Sequence, residues 1–272
     1  MEIVMEAYEK VKIVRDNNRP KIDDYIEALF DDFVELKGDR LGGEDAGIIG
    51  GIGLFHNIPV TVIGHKKGRD IEEKVRCNFG MPQPEGYRKA LRLMKQAEKF
   101  SRPIITFIDT PGAYPGIQAE ENGQSIAIAE SIAKMSSLKT PVIAIITGEG
   151  NSGGALAIGV ANSVVMLQNA VYSILSPEGF ASILWKDSAR SAEACEIMKM
   201  TAEELKEFGI IDRVIPEPKG GIQTNPRRGY EVIDKFLRRE LKRYIGMSGN
   251  ALAKHRYQKF RKIDRKFGMI KK

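Results

Sequence analysis

Residues 141–155 read PVIAIITGEGNSGGA. From Val142 to Thr147 apolar and β-branched side chains follow one another without alternation. A strand with one wet face alternates, so a continuous run of this kind is buried on both faces, as in a parallel sheet covered by helices. Four glycines among the seven residues 148–154 end the run, and GALAIGVA at 154–161 reads as a helix of small residues. PIITFIDTPGAYPG at 103–116 repeats the arrangement. There a buried strand leads into a loop of Gly112, Ala113, Tyr114, Pro115 and Gly116, and AEENGQSIAIAESIAKMSSL at 119–138 follows as a single helix. Two such strands predict an α/β fold built on a parallel sheet. Ligands of open α/β sheets gather beyond the carboxyl ends of the strands, where both glycine loops sit.

Outward from this core, GIIGGIGLF and IPVTVIGH, separated by His56-Asn57, predict a β-hairpin. In IDDYIEALFDDFVEL the residues Ile22, Ile26, Leu29, Phe30, Phe33 and Leu36 fall on one helical stripe with acids opposite, and GDRLGGEDAG breaks the pattern. YRKALRLMKQAEKFS reads as a basic amphipathic helix. SVVML and VYSIL read as strands, PEGFASILW as a helix and IIDRVI as a last strand. PEPKGGIQTNPRRG at 216–229 is the best candidate for a joint, with one or two charged helices beyond it. The expected organisation is an N-terminal helical segment (1–40), a core (41–222) and a basic helical tail (223–272).

Hydrophobic residues make up 42% of the 272 and charged residues 29%, ordinary for a globular chain with a real core. No apolar run approaches the roughly 18–20 residues a membrane span needs. The start, MEIVMEAYEKVKIVRDNN, lacks the apolar segment of a signal peptide. Cys77 and Cys195 lie far apart in no CxxC pair, which argues against a metal site built on cysteines and for a reducing, cytoplasmic setting. The net charge of +6 is unevenly spread: fourteen Lys/Arg and two acids lie between Lys235 and Lys272, a tail of +12 on a body of −6. Such a tail is solvated, or it docks on an acidic partner surface or an anionic ligand, RNA included. Leu252, Tyr257, Phe260, Ile263 and Phe267 predict that it packs.

The glycine loop matches three mechanical motifs incompletely. Gly148 and Gly153 have P-loop spacing, but Gly154 and Ala155 stand where lysine and Ser/Thr must reach the phosphates. Gly148, Gly150 and Gly153 give GxGxxG, without the acid about 20 residues on that holds a ribose. Gly150, Ser152 and Gly154 give the nucleophile pattern GxSxG. In hydrolase order, however, only His255, in the basic tail, could act as base. A further reading needs no lysine, histidine or metal. Gly153 and Gly154 open a helix, so their N–H groups are orphan donors at its positive end, unobstructed by side chains and able to hold an oxyanion.

ITFIDTPGAYPG, PVIAIITGEGNSGGALAIG and YSILSPEGFASILWK closely resemble the alpha subunits of acetyl-CoA carboxylase carboxyltransferase. GHKKGRD, NFGMPQPEGYRKALRLM, IIDRVIPEPKGG and the ending HRYQKFRKIDRKFG fit the same family. The resemblance implies a crotonase-like fold of repeated ββα units, with N-terminal and C-terminal helices. It implies that a carboxyl group passes from carboxybiotin, borne on a separate biotin carboxyl carrier protein, to acetyl-CoA, giving malonyl-CoA for fatty acid synthesis. It implies a beta subunit as partner, in an α2β2 assembly that works with biotin carboxylase, and no metal in this chain. The oxyanion hole maps onto Gly153 and Gly154, with Ser152 and Ala155 beside them and Gly112–Gly116 walling the same cavity. Where the family usually reads GEGGSGG, Asn151 replaces a glycine. Asparagine tolerates left-handed backbone better than most residues. Alternatives are another crotonase-fold acyl-CoA enzyme, a hydratase or decarboxylase using Glu149, Glu120 or Glu178 as acid/base, and a non-catalytic RNA-binding or assembly module.

Overall fold

The computed structural model describes residues 7–266. The chain enters through helices α1 (Ala7–Val14) and α2 (Ile22–Leu29). Strand β1 (Asp31–Glu35) follows, then the hairpin β2 (Ile48–Phe55) and β3 (Ile58–His65), turned at His56-Asn57 as the sequence predicts. Helices α3 (Ile71–Arg76) and α4 (Pro84–Lys99) lead to β4 (Ile104–Thr110), then α5 (Ile117–Glu121) and α6 (Gln124–Ser137). Strand β5 (Val142–Asn151) passes directly into the short helix α7 (Ser152–Leu156). Strands β6 (Ser163–Leu167) and β7 (Val171–Ser173) come next, then helices α8 (Pro177–Trp185), α9 (Ser191–Met198) and α10 (Ala202–Glu207). Strand β8 (Arg213–Ile215) and helices α11 (Pro226–Ile245) and α12 (Gly249–Lys266) end the described chain.

One sheet holds all of this together, in the order β1-β2-β3-β4-β5-β6-β8, with β7 added beside the far end of β5. β1, β2 and β3 pair antiparallel; from β3 to β8 the pairing is parallel. Every residue of β4 and β5 is buried, as the unalternating runs require. The α/β reading with terminal helices is therefore what the chain adopts.

Three elements differ from the periodicity. The stripe from Ile22 to Leu36 is not one helix: it ends at Leu29, and Phe30 is extended at φ −130°, ψ 135°. The following residues pair with β2 because Gly51 and Gly53 leave room for Phe33; a Cβ on Gly51 would stand 2.1 Å from the Val34 carbonyl oxygen and 2.7 Å from the Phe33 ring. The helix read over 119–138 is two helices, broken at Asn122-Gly123, where Gly123 takes φ +85°. GEGN at 148–151 is strand rather than loop, since Gly150 pairs with Thr110 of β4 and Glu149 with Val171 of β7.

The basic tail folds back on the body. Leu252 is buried, and Phe260 packs against the core. Tyr257 is exposed, Ile263 is half-buried and Phe267 lies outside the described residues. Fully buried Arg256 of α12 donates to the carbonyl oxygens of Leu138 and Thr140 and to Asn162 Oδ1, and Lys259 pairs with Asp212. These acceptors lie where the chain enters β5 and β6, so α12 closes that end of the sheet. Arg256→Met keeps the apolar volume but strands the Leu138 and Thr140 carbonyl oxygens, while Asn162 Oδ1 keeps the Val142 N–H. Leaving buried acceptors unpaired is expected to lower unfolding free energy by about 2–4 kcal/mol, read from the urea midpoint. An unchanged midpoint would show that α12 is held by its other contacts, Leu252, Phe260 and the Lys259–Asp212 pair.

Candidate active site

Ser152 is the pivot of the site. It takes φ +59°, a left-handed conformation uncommon for a residue with a Cβ, and so turns β5 sharply into α7. Asn151, expected to need that freedom, is instead extended (φ −114°, ψ 138°). Its buried side chain accepts a hydrogen bond from Ser173 Oγ at 2.8 Å, tying β5 to β7. The first N–H groups of a helix have no intrahelical acceptor, and Gly153 and Gly154 carry two of those in α7.

The two glycines face different neighbours. Ser152 and Gly153 border a cleft of about 580 Å3, with Leu156, Tyr172, Phe180 and Phe208 among its other walls. Gly154 is turned inward: a Cβ there would lie 2.8 Å from both the Ala113 nitrogen and the Gly112 carbonyl carbon. The loop after β4 and the turn after β5 thus meet backbone to backbone. Thr110 Oγ1 pins the first loop, accepting from the Gly112 N–H at 3.0 Å and donating to the Gly112 oxygen at 2.7 Å. Gln124 donates to the carbonyls of Tyr114 and Pro82. Gly116 packs against the Tyr114 ring, and Pro115 is exposed. Ala155 is fully buried behind the turn.

Behind the turn lies a network of charges that periodicity did not reveal. Lys67 bridges Asp109 (2.6 Å) and Glu149 (3.0 Å). Asp109 also accepts the Glu149 backbone N–H at 3.0 Å, and its carboxylate occupies the place of a side chain at Gly148, where a Cβ would be 2.2 Å away. Arg15, from the turn after α1, reaches Glu149 at 2.8 Å and Glu178 of α8 at 2.7 Å. Arg19 holds the Thr147 carbonyl at 2.7 Å and Glu217 at 2.8 Å. Burial opposes the charge on Glu149, but Lys67 and then Arg15 outweigh it and bring its pKa down to about 2. Glu178 is likewise held below the usual carboxylate range, first by its hydrogen bond to Arg15. Neither is poised to exchange protons near neutrality, and Glu120 is exposed on α5. This counts against the hydratase or decarboxylase chemistry that would use them.

No histidine is placed as a base for Ser152. His255 packs against Tyr244 and Asn162, and the Asn162 N–H donates to the oxygen of Val142, at the start of β5. Ser152 is a ten-residue strand away, roughly 30 Å. His65 is buried against backbone groups of Phe107 and Gly154, with neither ring nitrogen in good hydrogen-bond geometry. Lys66 pairs with Asp23 and Glu73, and Arg69 with Asp24, so these cations are occupied. Among the described residues no cluster of His, Cys, Asp or Glu could hold a metal ion, and no helix is long and apolar enough to cross a membrane. Both cysteines are buried.

A sequence profile described as acetyl co-enzyme A carboxylase carboxyltransferase-like matches residues 3–264. The chain belongs to that family. It is 56% identical over 261 residues to the acetyl-coenzyme A carboxylase carboxyl transferase subunit alpha of Clostridium botulinum (strain Eklund 17B / Type B), covering 96% of this chain and 95% of that one. It is 55% identical to the subunit of the same name from Geobacillus kaustophilus (strain HTA426), covering 95% and 80%. Among solved structures, a transcarboxylase 12S chain superposes with a TM-score of 0.69 at 18% identity. That match covers 88% of this chain but 44% of the transcarboxylase chain. A Pseudomonas malonate decarboxylase heterodimer gives 0.62 at 17%, covering 79% and 85%. The fold of this family member is thus the crotonase-like fold of the carboxyltransferases.

Burial pushes the His65 pKa down to about 4. With the folded value below the unfolded one of 6.5, the unfolded chain takes up the proton first. The stability contribution is therefore intact above about pH 6.5 and lost as pH falls towards about 4. The loss should be on the order of 3 kcal/mol. Unfolding free energies of wild type and His65→Gln across that range test this: the variant should lack that part of the slope. Parallel curves would place the titration elsewhere.

Proposed function

We propose that this family member works as the alpha subunit of acetyl-CoA carboxylase, a biotin-dependent carboxyltransferase that yields malonyl-CoA for fatty acid synthesis. Similarity at 56% identity across nearly the whole chain carries the reading, and the junction at Ser152 suits the chemistry. The partner would be a beta subunit, in an α2β2 assembly served by biotin carboxylase and a separate biotin carboxyl carrier protein, in the cytoplasm. Acetyl-CoA is the acceptor.

Bound in the cleft, carboxybiotin would supply the carboxyl group. The residues present fit such a ring: the cleft is largely apolar, and backbone rather than charged side chains forms its rim at Ser152 and Gly153. In our reading the N–H groups of Gly153 and Gly154, with Ala155 behind them, donate to an oxygen that gains negative charge. They are rigid, and donors already oriented need no reorganisation as charge develops. Removing one such donor lowers a rate about 100–1,000-fold. Gly112 and Ala113 back Gly154 from the inner side, and with Tyr114, Pro115 and Gly116 they would wall the same cavity. Ser152 contributes its backbone turn and no nucleophile.

The chain is therefore expected to be inactive alone and active with the beta subunit of the same genome, assayed as biotin-dependent decarboxylation of malonyl-CoA. In the assembled enzyme Gly154→Val should reduce turnover at least about 100-fold, because the new side chain drives the amides away from the Gly112-Ala113 backbone. Ser152→Ala should retain most of the rate. Normal turnover in Gly154→Val would remove the amide assignment, and loss of activity in a folded Ser152→Ala would restore a role for the hydroxyl.

A further inference from the structure

The side chain of Arg15 joins two elements that each lead to a wall of the cleft. Its Nε and one terminal nitrogen grip the Glu149 carboxylate at 2.9 and 2.8 Å, two residues before the end of β5. Its other terminal nitrogen reaches Glu178 at 2.7 Å, in the first turn of α8. β5 leads into Ser152 and Gly153, on one wall of the cleft, and α8 carries Phe180, on another. The chain between β5 and α8 runs through the 25 residues of α7, β6, β7 and their turns; β7 pairs with β5 as far as Ser173, but α8 itself lies beyond that ladder. The planar guanidinium presents its donors in a rigid fork towards two carboxylates, where an ammonium is a point charge on a flexible stem.

Glu149 does not depend on Arg15 alone for neutralisation, since Lys67, which it shares with Asp109, also pairs with it. Nor does α1 need Arg15 to stay docked: Ala7, Val11 and Val14 are buried against Val171, Cys195 and Met200, and Lys10 pairs with Glu203. What Arg15 adds beyond these contacts, and beyond the pairing of β7 with β5, is a side-chain link from β5 to the first turn of α8. We infer that Arg15 is a positioning residue that sets the distance between the amide-bearing turn and α8, and so governs how firmly the cleft holds its ring-shaped ligand. This rests on the carboxyltransferase reading above for the identity of that ligand, though not for the link itself.

Two measurements separate the link from the ligand. The first is hydrogen exchange on the full-length chain, without substrate or partner. Arg15→Ala should speed exchange about tenfold in both 148–156 and 177–185, leaving 226–245 unchanged. Glu178→Gln, which alters only the half-exposed end of the bridge, should reproduce the effect in 177–185, and combining the two should add nothing. The second uses the complex with the beta subunit. Arg15→Ala should raise KM for free biotin about tenfold while KM for malonyl-CoA stays as in wild type, and Arg15→Lys should recover only part of the loss. Faster exchange confined to 7–20, additive effects of the two substitutions, or a biotin KM unmoved by Arg15→Ala would each overturn the inference. If the wild-type complex shows no biotin-dependent activity, the carboxyltransferase reading fails, and the exchange experiment still decides whether Arg15 couples the walls.

Discussion

Lys67 sits between two carboxylates, and the shape of the site depends on that ion pair. Asp109 is next to last in β4 and Glu149 lies near the end of β5; both reach Lys67 under the glycine turn, where unpaired charges would repel each other. The lysine, its side chain only 14% exposed, turns that repulsion into a clamp between neighbouring strands. Burial works against its own charge, but Asp109 and then Glu149 keep it protonated well above the usual range. With the strand ends fixed, Gly148 can press against the Asp109 carboxylate and β5 can run straight to Asn151 before it turns. Arg15 and Arg19 extend the same logic to α8 and to Thr147.

The turn is rigid for a second reason, the absence of side chains where two backbones meet. Gly154 lies against Gly112 and Ala113 closely enough that any Cβ would collide with main-chain atoms. Main-chain atoms cannot swing aside as a flexible side chain would. The turn is thus held from behind by another strand's loop, while Ser152 and Gly153 on its other side border the cleft. A serine with positive φ at the pivot carries strain that only such a tightly held surrounding maintains.

Much of this was legible in the residues. Continuous apolar runs at 104–110 and 142–147 announced buried parallel strands, and His56-Asn57 announced the hairpin, because both patterns come from local sterics and burial. The family strings located the glycine turn. Periodicity failed where a long-range partner decided the outcome. Residues 30–36 fit a helix stripe equally well, and only the glycines of β2, some twenty residues on, made room for Phe33 and drew the segment into the sheet. The helix at 119–138 kept its apolar rhythm across Gly123, whose left-handed φ no count of spacing reveals. Arg15 carried no signal at all: its partners, Glu149 and Glu178, are more than 130 residues away. Lys67 stood in a recognisable string, yet nothing local named its partners, because the acids that bury it come from other strands.

The two rims of the sheet have a consequence for how the molecule meets others. At one rim, β1 is short, bulged near Asp32, where φ is +49°, and carries Asp31, Asp32 and Glu35. At the other, β8 is three residues long and begins with an exposed arginine. Bulges, charges and brevity are what keep unpaired strand edges from templating further strands. A chain with so many unalternating apolar stretches would otherwise invite stacking of one sheet onto the next. Closing both rims leaves the loops beyond the carboxyl ends of the strands, where open α/β sheets gather their ligands, free of that protective task.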